Sequence, residues 1–180
     1  MKRLLVDKAS IITLVLITVA AFTACGQSSN SKQSLSKIQS IVSQRLDTSN
    51  TAIISFDPKN DYYIFDTSSK PTNLDLNEIK IIDSLLIIAI DDYNNSLDKE
   101  QYKEWAIDLD KLKYKKQLIA AVDKKGNKKV FVYCFCSDID KSSRWKYEKI
   151  IIKDGGQCIF EVEINLTNTS VGKVYTNGDA

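Results

Sequence analysis

Apolar residues recur at intervals of three and four between positions 76 and 95. Ile79, Ile82, Leu86, Ala89 and Tyr93 fall on one helical face, which Leu85 and Ile90 widen. The spacing predicts a long helix over LNEIKIIDSLLIIAIDDYNN. Asn77 is placed to cap it, Glu78 suits the positive first turn, and Asn94–Asn95–Ser96 ends it. Ile81, Ile87 and Ile88 lie off the main face, which predicts cover on more than one side. Lys80, Asp83 and Ser84 argue against a membrane span.

From Tyr114 onward the period changes to two. YKKQLIAAVD and KVFVYCFC flank Lys124–Lys125–Gly126–Asn127, a hairpin turn with glycine where positive φ is needed. KYEKIII and CIFEVEINL flank Asp154–Gly155–Gly156, read as a second hairpin. A three-residue turn there sets Ile152 opposite Cys158, Ile150 opposite Phe160 and Lys149 opposite Glu161. VGKVYT is the expected last strand. Upstream of the helix, AIISF (52–56) and YYIF (62–65) surround an Asp57–Pro58 turn, and one or both are strands. In SLDKEQYKEWAIDLDKL, residues 96–112, Tyr102, Trp105, Ile107 and Leu109 fit a short helix or a covering loop.

Together these elements predict an α+β fold, one long helix packed on a meandering antiparallel sheet of four to five strands. Their order resembles cystatin-like and NTF2-like folds, in which a curved sheet wraps a helix.

The remaining long apolar run is at the start of the chain. Lys2, Arg3 and Lys8 precede an apolar stretch from Ile11 to Phe22, and small residues follow it. That is the layout of a secretory signal, and the run is short of the ~20 residues that span hydrocarbon as a helix. The stretch closes on Phe22-Thr23-Ala24-Cys25, which resembles the lipobox of bacterial lipoproteins. The resemblance implies removal of residues 1–24, attachment of diacylglycerol to the Cys25 thiol, and an added acyl chain of the palmitate type on the new amino end. Phe22 stands where leucine is usual, and cleavage after Ala24 without a lipid is the alternative. Two or more acyl chains hold firmly. The implied location is the bacterial cell envelope, on the extracytoplasmic side of a membrane, in the periplasm or at the cell surface.

Residues 25–50 then form the anchor cysteine and a tether rich in Ser, Gln and Asn. Leu35, Ile38, Val42 and Leu46 fall at helical spacing within it, so part can form an amphipathic helix. Residues 51–180 make the single folded domain.

Charge narrows the function classes. The chain carries 25 basic and 23 acidic residues, and loss of Lys2, Arg3, Lys8 and Asp7 with the leader leaves 22 of each. A neutral mature chain lacks the basic excess of nucleic-acid binders. The chain has no histidine, which removes Ser-His-Asp and Cys-His arrangements, an imidazole base and any His-containing zinc site. No phosphate-cradling glycine loop occurs among the six glycines. The acid pairs Asp91–Asp92, Asp108/Asp110 and Asp138/Asp140 can do general acid–base work or hold calcium, but none has the EF-hand pattern, and turn or helix-end positions account for them as well. No cofactor, metal site or catalytic residue is assigned on this basis.

Three cysteines fall in the domain. Cys134 and Cys136 share one face of a strand, and Cys158 points inward on another. An oxidising compartment allows Cys158 to bond to Cys134 or Cys136, worth ~3 kcal/mol. The alternatives are three buried small apolar residues, or a Cys134/Cys136 exchange pair. The stretch IIIKDGGQCIFEVEINL, with YTNGDA after it, resembles the closing signature of a family of small bacterial envelope proteins that carries no assigned activity.

The expected function is a non-enzymatic, lipid-anchored module that binds or supports an envelope protein partner. One alternative is an NTF2-like pocket for a small ligand or reaction, using an acid such as Asp66 or Asp92. Another is a cystatin-like protease inhibitor. Against the inhibitor, the hairpin tip reads Lys-Lys-Gly-Asn rather than Gln-x-Val-x-Gly.

Overall fold

A computed structural model describes residues 48–177. Cys25, the leader and the tether up to residue 47 lie outside the described residues. In chain order the elements are β1 (Thr51–Ser55), β2 (Lys70–Pro71), α1 (Leu76–Ser96), α2 (Lys99–Trp105), β3 (Tyr114–Val122), β4 (Lys128–Cys136), β5 (Gly156–Asn165), β6 (Ser170–Val171) and β7 (Tyr175–Asn177). Single 3₁₀ turns cover Thr48–Asn50 and Arg144–Lys146.

The cap of helix α1 is Asp75, two residues before the expected Asn77. The Asp75 carboxylate accepts the Asn77 and Glu78 amides at 2.8 and 2.9 Å, while Glu78 reaches back to the Asp75 amide. This capping box satisfies three orphan donors, which Asn77 could not do from inside the first turn. Ile79, Ile82, Leu86, Ala89 and Ile90 are buried. Burial is one-sided, contrary to the expectation of wider cover. Ile81 is exposed and Ile87 and Ile88 are only half-buried, because no other described element packs over that side.

Strands β3, β4 and β5 form the expected antiparallel meander. Tyr114 faces Cys136 across β3 and β4, and Cys134 faces Phe160 across β4 and β5. Gly126, at φ 83°, turns the first hairpin, and Asp123 accepts the Lys125 and Asn127 amides to hold it.

Two parts of the sheet differ from the sequence reading. The first is β1, which runs parallel to β3, with Ile54 paired to Ile119, so the sheet is mixed. The connection from β1 to β3 runs through both helices, and such a crossover is what a parallel neighbour requires. The second is the segment 147–153, expected as a strand, which is not one. The outer edge of β5 is taken instead by β6, with Val171 against Ile164, and by β7, with Tyr175 against Glu161. The expected pairs of Ile152 with Cys158 and Lys149 with Glu161 therefore do not form. Among the described residues the sheet has seven strands in the order β1-β3-β4-β5-β6, with β2 on β3 and β7 on β5. The fold is α+β, with two helices and a mixed sheet in place of one helix and four to five antiparallel strands.

Both faces of the sheet are covered. Val130, Val132 and Cys134 point to α1, while Phe131, Tyr133 and Phe135 point to the other side. There the loops 56–69 and 137–155 supply Phe56, Phe65 and Trp145 to a second core. Double burial explains why β4 reads as a continuous apolar run. At its end Cys136 bonds to Cys158 on β5, with Cα atoms 5.0 Å apart, closing the base of the 137–157 loop.

Candidate functional site

Loop 145–152 is held partly by its own side chains, Trp145 in the second core and Ile150 and Ile152 packed against it. Polar groups rising from the sheet hold its backbone. Gln117 is fully buried on β3, where its amide nitrogen donates to the Trp145 and Glu148 carbonyls at 2.6 and 2.7 Å and its oxygen accepts the Ile150 amide at 3.0 Å. Tyr133 Oη accepts the Ile152 amide at 3.1 Å, and Asn177 donates to the Ile152 carbonyl. Across the loop layer, Lys149 pairs with Asp61, which is wholly buried and also accepts the Asp57 amide at 2.7 Å. These bonds satisfy a non-strand backbone beside a sheet face.

Held apart in this way, loops 61–65 and 149–151 flank a groove of about 70 Å³ on the sheet. Phe131 and Tyr133 floor it, stacked at 6.5 Å, and Tyr63, Ile64 and Ile151 stand at its sides. Glu161, on β5, closes it. Glu161 is half-buried, and its carboxylate makes neither a hydrogen bond nor an ion pair with the described residues. Desolvation pushes its carboxyl above the usual carboxylate range. Burial first, then the nearby Glu161 charge, raises the Tyr63 phenol. Its neighbour Glu163 differs, because it pairs with Lys129 at 2.7 Å. The rim is exposed and aromatic. Tyr62 and Tyr63 meet edge to face at 5.9 Å and are 68% and 56% exposed, and Ile151 is 70% exposed.

A second concavity, of about 340 Å³, lies on the opposite face between α1, the start of β3 and loop 109–113. Leu86, Leu109, Cys134 and Phe160 line it, and an ion pair between Lys116 and Asp83, both largely buried, crosses one wall.

The acids singled out in the sequence are not brought together. Asp66 is exposed and caps the Ser68 turn, which holds its carboxyl below the usual range. Asp108 caps its own turn through the Asp110 and Lys111 amides, and Asp140 accepts the Ser142 amide. Asp91, Asp92 and Asp138 are exposed. Among the described residues no group of three or more His, Cys, Asp or Glu can hold a metal ion. No helix among them is long and apolar enough to cross a membrane.

Of the cysteines, Cys136 and Cys158 are bonded and Cys134 is a buried thiol. Burial pushes the Cys134 thiol up to about 12, against the opposing effect of Lys116, so it is not a nucleophile at neutral pH.

Sequence reasoning missed Glu161 as a site residue because it assigned Lys149 as its partner. The signal available was β4 itself. Phe131, Tyr133 and Phe135 alternate with Val130, Val132 and Cys134, so an apolar layer had to exist on the Glu161 face.

Family models, curated proteins and solved structures contain no match to this chain.

Proposed function

We propose that the chain is a lipid-anchored module of the bacterial cell envelope, attached through Cys25, which docks a protein partner on the loop face of its sheet and performs no reaction. The observation that carries this reading is the exposed patch of Tyr63 and Ile151 at a groove too small for a drug-sized ligand, extended by Tyr62 packed edge to face on Tyr63. Exposed aromatic and aliphatic side chains gathered in one place are what a partner surface covers. The disulfide between Cys136 and Cys158 agrees with an oxidising compartment. The neutral charge of the mature chain speaks against nucleic acid as the partner. The finer likeness to cystatin-like and NTF2-like folds is supported by α1 lying across the β3–β4–β5 meander, and the parallel β1 departs from it.

A second reading, a small-ligand pocket, is favoured by the 340 Å³ concavity beside α1. Of the two acids that line it, Asp83 and Asp110, Asp83 is already paired with Lys116.

Site-specific photocrosslinkers at Tyr62 and at Ile81 of the anchored protein, in its own envelope, test the docking face. A discrete protein adduct from position 62 and none from 81 is the expected result. Equal adducts from both positions, or none, overturn the reading. Mass spectrometry of the mature chain tests the anchor: an acylated cysteine at the amino end is expected, and a chain still starting at Met1 overturns it.

A further inference from the structure

We propose that the groove closed by Glu161 receives the ammonium group of a lysine side chain presented by the protein partner. The inference rests on the docking reading above and names the chemistry of its contact.

Four observations combine. First, Glu161 is an acid in a largely apolar and aromatic groove whose other polar side chains, Gln117 and Lys149, are bound to the loop backbone and to Asp61, and no described cation or donor satisfies its carboxylate. The neighbouring carboxylates Asp61, Glu163 and Asp66 are matched, by Lys149, by Lys129 and by the Ser68 turn. A half-buried charge without a partner is costly to the fold, and such exceptions concentrate at sites kept for binding. Second, the floor and one side of the groove are aromatic, and the faces of Tyr63, Phe131 and Tyr133 add attraction for a cation that a carboxylate alone does not supply. Third, a volume of about 70 Å³ admits the tip of one side chain. A compact ammonium on a thin methylene stem fits such a slot better than a planar guanidinium with its five donors. Fourth, the exposed rim is much larger than the slot. A free amine would leave Tyr62 and Ile151 in water, whereas a protein carrying the lysine would cover them.

The same geometry explains why Lys149 does not fill the groove. It lines the slot but is turned to Asp61, whose buried carboxylate holds the ammonium.

The test uses the full mature chain in detergent micelles and chemical-shift mapping with three probes: acetyl-Gly-Gly-Lys-Gly-Gly-amide, its norleucine counterpart, and n-butylammonium. The lysine peptide is expected to shift the amides of Tyr63, Phe131, Tyr133 and Glu161, and the norleucine peptide is not. Glu161→Gln should weaken the lysine peptide at least tenfold while the spectrum stays folded. Tyr63→Ala, at an exposed rim position, should weaken it about threefold. Equal response to the norleucine peptide, or an unchanged response in Glu161→Gln, overturns the proposal. Tighter binding of n-butylammonium than of the peptide overturns the protein-borne source. Adducts from position 62 that persist in Glu161→Gln would leave the docking reading standing and remove the lysine contact. Peptide binding without any such adduct would leave a groove that takes an ammonium and overturn both the docking reading and the protein-borne source of the lysine.

Discussion

Gln117 accepts the amide hydrogen of Ile150 at 3.0 Å, so a side chain in the middle of β3 supplies the hydrogen bond that a neighbouring strand would otherwise give. The same amide group donates to two further carbonyls of the loop. Gln117→Leu keeps the volume and strands an N–H and two carbonyls. The expected loss is about 3 kcal/mol in urea unfolding. Native-state hydrogen exchange should show the Ile150 amide losing protection first, while amides of β3 and β4 keep theirs. Uniform loss across the sheet would contradict a local clamp.

The bond between Cys136 and Cys158 joins positions that face each other on β4 and β5 and are separated by 22 residues. Replacing both by serine should cost about 3 kcal/mol in thermal or urea unfolding, in the chain-entropy account of such a loop. Denatured, unreduced protein should react with one thiol among residues 48–177, that of Cys134. Three reactive thiols would rule the bond out. Native protein should react with none, since Cys134 is buried and its thiol lies near 12.

The legible parts of the fold were those set by local pattern. The helical face of Ile79, Ile82 and Leu86, the Gly126 hairpin and the inward run Cys158–Phe160–Val162–Ile164 could be read because each depends on neighbours close in sequence. Pairings at long separation could not. Nothing in AIISF says that Ile54 will lie parallel to Ile119, and nothing in KYEKIII says that β7 will displace it from the edge of β5. The apolar run of three isoleucines satisfied a strand pattern equally well on the sheet face, where Gln117 and Tyr133 hold its backbone. The site was hidden for the same reason. Glu161 shares its groove with Tyr63, almost a hundred positions upstream, and burial there raises its carboxyl.

Gly155 and Gly156, read as a hairpin tip, instead bend the chain into β5. Gly155 has φ 155°, and an added Cβ would collide with the buried Ile159 side chain. Gly126 has φ 83° and open space around it. Gly155→Ala should therefore cost about 2 kcal/mol from strain and overpacking together, and Gly126→Ala about 1 kcal/mol from strain alone. Urea midpoints measured side by side decide this, and a reversed order would refute the clash.

Asp61 is fully buried and its cation, Lys149, is about a quarter exposed. Lys149→Met should cost about 3 kcal/mol, because it strands a carboxylate whose remaining described support is the Asp57 amide. Adding Asp61→Asn removes the charge and should recover most of the loss. A double-mutant cycle with no coupling would show that the pair does not form in solution.

Glu161 gives the pH-dependent prediction. Its carboxyl is raised above 4.5 in the folded chain by desolvation, so the charged form is disfavoured by folding. A group shifted upward contributes stability below its unfolded value and loses it as pH rises through the folded value. Wild type should therefore lose stability, relative to Glu161→Gln, from about pH 4.5 upward. The other groups facing the groove do not reproduce that signature. Tyr63 and Tyr133 are raised above 10 and stay protonated, while Lys149 and the Lys129–Glu163 pair are common to both proteins. Asp57, Asp66, Asp123 and Asp140 are held below 3.8 by turn hydrogen bonds; they act oppositely, on acidification, and cancel in the comparison. Thermal midpoints should coincide at pH 4 and separate at pH 7, with the variant higher. A variant that is less stable at pH 7 would mean that the carboxylate has a stabilising partner in the folded chain, and the groove would then have no unmet charge to offer a lysine.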